Sequence, residues 1–214
     1  DAPGIVEIKR STAAGIVGGT TTASRGTFLL GNAIIDAAQK IKNDLQHSTL
    51  AELAGSTYWG HWRCDWTTEP LSGEESIIHV AYGYASQVVI LNDEGSVQKV
   101  VAAHDVGRVI NPLLVEGQVE GGIVMGLGYA FSEDLSLKNG QLKTIRYGKL
   151  GIPRIKQVPE IVVKLLEVSD PYGPYGAKGV GEIGLVPTAA AAANARYQFD
   201  KTRQYQLPIK TGKA

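Results

Sequence analysis

Cysteine is nearly missing from this sequence, since Cys64 is the single cysteine among 214 residues. One cysteine excludes an intramolecular disulfide framework. It also excludes an iron–sulfur cluster or a cysteine-rich zinc site held by this chain alone. Because disulfides are typical of oxidising compartments, the cysteine count predicts a reducing, cytoplasmic setting.

Two further features are missing, a long apolar run and a net charge. No stretch reaches the roughly 18 apolar residues of a membrane-spanning helix, and the first residues, DAPGIVEIKR, do not resemble a secretory signal. Lys plus Arg total 21, and Asp plus Glu also total 21. A neutral chain has no overall field that would attract nucleic acid or an anionic membrane. We therefore expect neither of them as a partner.

Glycine, in contrast, is abundant. The chain has 26 glycines, roughly 12% of its residues against an average near 7%. They gather in segments 15–31, 107–128, 140–151 and 173–184. Glycine inside apolar segments usually marks a close approach of the backbone to another element or to a ligand. We therefore expect these four segments to lie against other elements or a ligand.

Apolar periodicity and capping signals predict three longer helices. The first is expected at about 27–46, with Ser24 as its candidate N-cap. Asn111-Pro112 is typical of the N-cap and first residue of a second helix, which is glycine-interrupted over 113–131. Pro187 begins the third helix, and TLAELAG at 49–55 predicts a shorter one.

Runs rich in β-forming residues predict hairpins and single strands. The expected segments are 77–91 and 96–106 joined by a turn at 92–95, a second pair around Asn139-Gly140, and strands at 5–10 and 160–168. Hairpins combined with separated helices favour an α+β fold over a doubly wound α/β sheet.

Residues 175–184, YGAKGVGEIG, contain a literal G-x-G-x-x-G at Gly179, Gly181 and Gly184. In a dinucleotide-binding loop this motif directly follows a strand, within a unit that closes with a second strand. Here the preceding strand ends near Val168, and no apolar strand follows the last helix. The motif therefore does not favour a nicotinamide-dependent dehydrogenase.

Two interpretations of Glu182, which lies inside this motif, stay open. Flanking glycines can bring a ligand close to the carboxylate and leave backbone N–H groups to face anionic or carbonyl oxygens. A partly desolvated carboxylate of this kind suits a general base. Alternatively, Glu182 is an acid that interacts with the dipole of the following helix. Spacing alone favours neither interpretation.

Two other segments also have a functional and a structural interpretation. Gln118 and Glu120, in the glycine-rich helix, could hydrogen-bond a bound heterocycle, or they could be solvated on a helix that packs tightly against a sheet. The loop GGTTTASRG at 18–26 could cradle a phosphate or a pterin, or it could be an ordinary capping loop. In both cases the structural interpretation is the commoner one.

The aromatic stretch YWGHWRCDW at 58–66 carries His61, Cys64 and Asp65. One cysteine and one nearby histidine do not have a recognised metal-ligand spacing. A Cys–His pair alone does not make a protease either. We therefore expect the three tryptophans to pack under a loop.

These motifs follow one another in a recognisable order. Ser24-Arg25 and Gly31-Asn32-Ala33 come first, then AAHDVGRVINPLLVEGQVEGGIVMGLGYAFSED at 102–134, then YGAKGVGEIGLVPTAAAAANA at 175–195. In this order they resemble the molybdopterin-binding subunit of the xanthine oxidase family, the molybdenum hydroxylases. The likeness extends from about residue 15 to residue 195. The pairing of GQVEGG with GAKGVGE is far more specific than the bare glycine motif.

The resemblance implies a role for each matching residue. Glu182 falls on the family's catalytic base, which takes a proton while oxygen from water is added to an electron-poor carbon. Gln118 falls on a glutamine that hydrogen-bonds near the molybdenum. Other positions fall beside the cofactor or on the loop that touches its pterin: Gly176, Lys178, Gly179 and Gly181, and Thr22, Ala23 and Ser24. The cofactor itself holds the molybdenum, so no metal-ligating side chain is expected.

The resemblance also implies a larger assembly. The family's subunits are much longer, so residues 1–214 correspond to their C-terminal cofactor-binding region. One possible division is 1–70, with the cofactor loop and a helix, and 71–214, with the hairpins, the glycine-rich helix and the Glu182 loop. The rest of the subunit would share the molybdenum–molybdopterin cofactor, for which the cytosine dinucleotide form is an open alternative. Iron–sulfur and FAD groups would lie on other subunits.

The implied activity is hydroxylation of a small molecule, either an N-heterocycle or an aldehyde, with water as the oxygen source. Catalysis would then require the upstream region or partner subunits. An alternative function is a non-catalytic structural or assembly fragment that binds no cofactor alone. Cofactor content distinguishes the two functions.

Overall fold

A three-stranded sheet with helices against one face forms the centre of the protein. The structure, a computed structural model, describes residues 6–9, 12–16, 18–69 and 71–209. The sequence predicts a strand at 5–10, but residues 6–9 form none, and Ile5 and Arg10 lie outside the described residues. An extended segment becomes a strand only when a neighbour satisfies its backbone hydrogen bonds.

Helix α1 spans Gly26–Asp44, close to the predicted 27–46. The prediction of Ser24 as its N-cap is wrong, because Arg25 occupies that position and no side chain caps the first turn. Ser24 has a left-handed φ of 55°, and its hydroxyl accepts a hydrogen bond from the backbone N–H of Glu182 instead. A contact distant in sequence therefore uses the group that would have capped the helix.

The short helix predicted at 49–55 is also wrong, since these residues form turns. The carboxylate of Glu52 accepts a hydrogen bond from the backbone N–H of Thr49 at 2.7 Å, and Gly55 ends the segment with a φ of 82°. Seven residues are too few to form a helix without tertiary support.

The predicted hairpin of residues 77–106 is confirmed in its C-terminal part. Strand β1, Ala85–Leu91, pairs antiparallel with strand β2, Val97–Asp105. The side-chain oxygen of Asn92 accepts hydrogen bonds from the backbone of Glu94 and Ser96 in the turn. Strand β1 begins at Ala85 rather than at residue 77 because its partner β2 ends opposite it.

Helix α2 spans Pro112–Phe131 and begins as predicted. Asn111 is the N-cap, and its side-chain oxygen accepts a hydrogen bond from the backbone N–H of Leu114 at 3.1 Å. The predicted turn at Asn139-Gly140 joins two short strands, β3 (Leu137–Lys138) and β4 (Gln141–Leu142).

Strand β5, Glu160–Leu166, completes the sheet by pairing parallel to β2, in the order β1-β2-β5. Helix α3, Thr188–Asp200, begins one residue after the predicted Pro187, which is its N-cap. Mixed strand directions and separated helices make the fold α+β, as the sequence predicts. No helix within the described part of the chain is both long and apolar enough to cross a membrane.

The hydrophobic core lies between the sheet and helices α2 and α3. Its buried side chains come from both strands of the hairpin, from both helices and from the segment after α3: Val89, Val100, Ala102, Val119, Ile123, Leu127, Ala130, Ala192 and Ile209. Alternate residues of β1 and β2 face this core, as the pleat of a strand requires. Helix α2 approaches α3 at Gly126, where an added β-carbon would overlap the side chain of Thr188.

We expect Gly126→Ala to lower the unfolding free energy by about 1–3 kcal/mol, the usual cost of overpacking. The matched control is Gly121→Ala on the same helix, where an added β-carbon meets nothing within 4 Å. This control should raise the unfolding free energy by up to about 1 kcal/mol through helix propensity. Denaturant unfolding compares the two variants, and shifts of the same sign would contradict the packing explanation.

Candidate active site

Three segments that are distant in sequence meet around the backbone of Glu182. They are the loop at 22–24 before α1, the turn of α2 that carries Gln118, and residues 176–184, here named the GE loop. The backbone N–H of Glu182 donates to Ser24 Oγ at 3.2 Å. Gln118 Nε2 donates to the carbonyl oxygen of Gly181 at 2.9 Å. The structure thus brings together the residues that the sequence singles out.

The loop before α1 has a strained backbone. Ala23 and Ser24 have φ values of 50° and 55°, a left-handed conformation that costs of order 1 kcal/mol or more for a residue with a side chain. Arg25 Nε donates to the carbonyl oxygen of Thr20 at 2.7 Å and so braces the loop. Strain of this kind persists only where the surroundings hold it in place, and it is common at binding sites.

Two glycines of the GE loop lie directly against Ser24. A β-carbon added at Gly179 would overlap the carbonyl oxygen of Ser24, and one at Gly181 would lie 3.1 Å from Ser24 Oγ. The glycine-rich composition therefore allows two loops to pack backbone to backbone. This contact is one of the close approaches that the clustered glycines predict.

The start of the GE loop is attached to the end of β2. Gly176 has a φ of 86°, and its carbonyl oxygen accepts hydrogen bonds from the backbone N–H of Arg108 at 2.9 Å and of Asp170 at 3.1 Å. Lys178 N donates to the carbonyl oxygen of Val106 at 3.1 Å. These bonds fix the direction in which the loop leaves the sheet.

A buried ion pair strengthens this attachment. Lys178 Nζ lies 2.6 Å from Asp105 Oδ2, with the two side chains 8% and 5% exposed. The other carboxylate oxygen of Asp105 accepts a hydrogen bond from Gly107 N at 3.2 Å. The ammonium group of Lys178 thus points into the protein, so the part of this residue that faces the loop surface is its backbone.

Helix α2 holds the other end of the GE loop. A β-carbon at Gly122 would lie 3.0 Å from the backbone of Gly184, and one at Gly184 would lie 2.8 Å from the carbonyl oxygen of Val119. Gly117 and Gly121 of the same helix have nothing within 4 Å. Close packing against the GE loop therefore explains Gly122 of GQVEGGIVMGLG, but not these two.

Glu182 presents its side chain at the surface. Within the described ranges the carboxylate has no hydrogen-bond or ion-pair partner, and the residue is exposed. The first turn of α3 contains no acidic residue, so the alternative of an acid interacting with that helix dipole has no support. The carboxylate is free to meet a ligand, and the residues described here do not desolvate it.

A buried polar network beneath the GE loop was not predicted from the sequence. Gln87 Nε2 donates to the carbonyl oxygen of Gly184 at 2.8 Å and lies 3.2 Å from His104 Nε2. Thr188 Oγ1 donates to Gln87 Oε1 at 2.8 Å. The available signal was periodicity, because Gln87 and His104 occupy inward-facing positions, on the same faces of their strands as Val89 and Ala102.

The aromatic stretch forms a packed cluster. The ring of Phe28 lies 5.5 Å from Trp62 and 6.3 Å from Trp66, whereas Trp59 is largely exposed. The predicted packing of the tryptophans thus holds for two of the three. No group of three or more metal-ligating side chains occurs among the residues that the structure describes.

Comparison with known proteins identifies the family of the chain. Residues 5–159 match the family model of the molybdopterin cofactor-binding domain. The chain belongs to this family.

Known members of the molybdenum hydroxylases resemble the chain in sequence. It is 34% identical over 102 residues to the putative xanthine dehydrogenase molybdenum-binding subunit of Escherichia coli (strain K12), covering 47% of this chain and 14% of the relative. It is 37% identical over 100 residues to the nicotine 6-hydroxylase large subunit of Paenarthrobacter nicotinovorans, covering 46% and 12%. The chain thus spans about one seventh or less of the length of these relatives.

Solved structures also resemble this chain. The aldehyde oxidoreductase of Desulfovibrio desulfuricans ATCC 27774 superimposes with a TM-score of 0.69 at 31% identity, over 84% of this chain and 21% of that one. The resemblance to the molybdopterin-binding subunit of the xanthine oxidase family is therefore confirmed. These relatives and structural neighbours are molybdopterin-dependent oxidoreductases.

Lys178→Met should strongly destabilise the protein, because it leaves the buried Asp105 carboxylate unpaired. Removing one member of a buried ion pair costs about 3–5 kcal/mol. Combining it with Asp105→Asn should recover part of this loss, since no unpaired charge then remains. A double-mutant cycle measured by denaturant unfolding gives the coupling energy.

The control for this cycle is Lys99→Met, which breaks the more exposed ion pair with Glu160. It should change the unfolding free energy by about 1 kcal/mol or less. A coupling between Asp105 and Lys178 no larger than this would contradict the structural role of the buried pair.

Burial lowers the pKa of His104 from its ordinary value of 6.5. The unfolded chain therefore binds a proton on this imidazole at pH values where the folded protein does not. The contribution of the neutral imidazole to the unfolding free energy should be fully present above about pH 6.5, and the unfolding free energy should fall as the pH drops below that value. His104→Gln should flatten this slope.

Unfolding by denaturant at a series of pH values measures that slope. His47→Gln, at an exposed position, is the matched control and should leave the slope unchanged. An equal slope in the parent protein and in His104→Gln would show that the imidazole does not resist protonation in the folded state.

Proposed function

We propose that this chain forms part of the molybdenum-cofactor site of a hydroxylase in which Glu182 is the general base. The substrate class is an N-heterocycle or an aldehyde, and water supplies the oxygen. One observation carries the proposal: the pterin loop at 22–24, Gln118 and the GE loop meet at the backbone of Glu182, while its carboxylate stays unpaired within the described chain.

The backbone of both loops suits a molybdopterin cofactor. Among the described residues, the N–H groups of Thr22, Ala23 and Ser24 have no hydrogen-bond acceptor, and the same holds for Gly179, Val180 and Gly181. Phosphate and pterin oxygens are natural partners for such donors. The side-chain oxygen of Gln118 also lacks a partner within the described ranges, because only its Nε2 is engaged. These groups would hold the cofactor.

In this proposal the metal is held by its cofactor and not by side chains of this chain. When bound, the molybdenum cofactor would accept two electrons from the substrate. The overall change is R–H plus water giving R–OH, two electrons and two protons. The role we assign to this chain is to bind and orient the cofactor through the loops and to remove one of those protons at a Glu182 carboxylate oxygen.

The substrate class rests on the names of the relatives. One is a putative xanthine dehydrogenase subunit and another a nicotine 6-hydroxylase subunit, and both names specify an N-heterocycle. The structural counterpart is an aldehyde oxidoreductase. An electron-poor carbon that water can attack is common to both substrate classes.

The remainder of the subunit is the proposed partner that closes the site. Glu182 and Gln118 are exposed in the described chain, although a general base works best away from bulk water. Helix α2, which carries Gln118, also exposes apolar side chains along its length, at Leu113, Leu114, Met125 and Tyr129. A surface of this kind is typical of an interface.

Several finer features belong to the same proposal. They are the cytosine dinucleotide form of the pterin, iron–sulfur and FAD groups on other subunits, a cytoplasmic location and the division at about residue 70. The first two follow from the family resemblance, the third from the single cysteine and the fourth from the order of the motifs.

The exposure of Glu182 favours a second candidate function, a structural or assembly fragment that binds no cofactor alone. Molybdenum analysis of the protein purified with its partners, after expression with ample molybdate, separates the two functions. Stoichiometric molybdenum supports the enzyme, and a metal-free complex supports the structural fragment.

Glu182→Gln in the assembled enzyme should lower kcat by about 10²- to 10⁴-fold, the usual contribution of a general base. The molybdenum content should stay the same, because the amide keeps the shape of the side chain and the backbone N–H still reaches Ser24 Oγ. The measurement is steady-state turnover of an N-heterocycle or aldehyde, normalised to bound molybdenum.

Glu94→Gln is the matched control, because Glu94 lies in the β1–β2 turn, at the opposite end of the sheet from the GE loop. It should leave both turnover and molybdenum content unchanged. Near-normal turnover in Glu182→Gln would show that the base is another group.

A further inference from the structure

The carbonyl oxygen of Gly184 is held by side chains from the protein interior. Gln87 Nε2 donates to it at 2.8 Å, and Thr188 Oγ1 lies 3.1 Å from the same oxygen. Gly184 is buried and follows Glu182 by two residues. The exposed turn that carries Glu182 is therefore anchored at one carbonyl group in the core.

The hydrogen-bond pattern fixes the orientation of the Gln87 amide. A carbonyl oxygen can only accept, so the Gln87 group that faces Gly184 must be the NH₂. The amide oxygen then faces Thr188, whose hydroxyl donates to it at 2.8 Å. Both ends of the amide thus have complementary partners, whereas a rotated amide would place its oxygen against the Gly184 carbonyl oxygen and lose that bond.

The same hydrogen-bond pattern fixes which ring nitrogen of His104 carries the proton. Its Nε2 lies 3.2 Å from the Gln87 NH₂ group, so this ring nitrogen must accept a hydrogen bond and carry no proton. His104 is fully buried, which also favours the neutral ring. Its Nδ1 then carries the proton and has no partner among the described residues. The imidazole acts as an acceptor that holds the second N–H of Gln87.

Backbone hydrogen bonds connect the anchored Gly184 region to Glu182. Leu185 N donates to the carbonyl oxygen of Glu182 at 3.1 Å, and Thr188 N donates to the carbonyl oxygen of Leu185 at 3.1 Å. Gly184 is also confined by α2, since the β-carbon of any other residue there would lie 2.8 Å from the carbonyl oxygen of Val119. The turn therefore has little freedom once the Gly184 carbonyl is fixed.

We propose that Gln87, oriented by His104 and Thr188, is a positioning residue that holds the Gly184 carbonyl and so sets the place of Glu182. The role of Glu182 as a base rests on the proposed function. The anchoring of the turn rests only on the contacts described above. Gln87 would not touch substrate or cofactor, because it lies under the loop.

The test uses the holoenzyme with Gln87→Met, which keeps the length of the side chain and removes its donor. Hydrogen exchange of the Leu185 and Thr188 amides should become at least about tenfold faster as the turn loses its anchor. Turnover should fall in kcat by about tenfold with little change in KM, since a small misplacement of a catalytic group can cost up to about a hundredfold. Molybdenum content should be unchanged.

Variants of Thr188 provide a second, independent test of the anchor. Without Gln87, the Thr188 hydroxyl is free to turn to the Gly184 carbonyl, which it already approaches. Gln87→Met combined with Thr188→Val should therefore accelerate exchange by more than the product of the two single effects. Thr188→Ser keeps the hydroxyl and, combined with Gln87→Met, should not add to its effect.

Gln98→Met is the matched control, because Gln98 is exposed on the neighbouring strand β2 and makes no contact with the GE loop. It should change neither exchange nor turnover. If Gln87→Met does not fold, Gln87→Glu keeps the shape while its ionised carboxylate cannot donate to Gly184. Compared with the parent protein at the same pH, which corrects for the ordinary base-catalysed rise in exchange, the protection of the Leu185 amide in that variant should fall as the pH rises.

The outcomes separate the two proposals. Unchanged exchange and kcat in Gln87→Met, or equal acceleration in Gln98→Met, would overturn the positioning role. Faster exchange with normal kcat would likewise overturn it, because the place of Glu182 would not matter. A different result would overturn the base assignment and leave the anchored turn supported. In that case Glu182→Gln would have normal turnover, while Gln87→Met would have reduced kcat and accelerated amide exchange.

Discussion

The close contact between helix α2 and the GE loop is the constraint on which the site depends. Gly122 and Gly184 face each other at a distance that leaves no room for a β-carbon. Because α2 packs on the core face of the sheet, Gly184 and Thr188 are buried between this helix and strand β1, whereas Val186 is exposed. Glycine in a helix costs up to about 1 kcal/mol relative to alanine, and here it allows an irregular segment to be buried beside a helix.

The GE loop consequently has two sides of different character. Toward the core it carries the Lys178–Asp105 ion pair and the Gly184 carbonyl, both fully engaged by buried partners. Toward the surface it presents the Glu182 carboxylate and backbone N–H groups that have no partner within the described chain. A rigid inner side with an open outer side is the arrangement that holds a catalytic group in place before its ligand arrives.

Local signals predicted the regular elements well. The Asn111-Pro112 start of α2, the Asn139-Gly140 turn and the helix at 26–44 all depend on neighbouring residues, and all three are present. The strand at 5–10, the short helix at 49–55 and the N-cap at Ser24 are the predictions that failed. Strand pairing and the hydrogen bond from Glu182 to Ser24 involve residues far apart in sequence, so no local pattern contains them.

The sequence by itself determined the family, because GQVEGG and GAKGVGE are two specific motifs in a specific order. It also determined which loops are rich enough in glycine to approach another backbone. Only the tertiary structure decided that Lys178 points inward to Asp105 and that Gln87 and His104 lie beneath the GE loop. The physical reason is that burial and hydrogen-bond direction depend on what lies across the fold, and the alternation of a strand shows which side chains face inward but not which partners they meet.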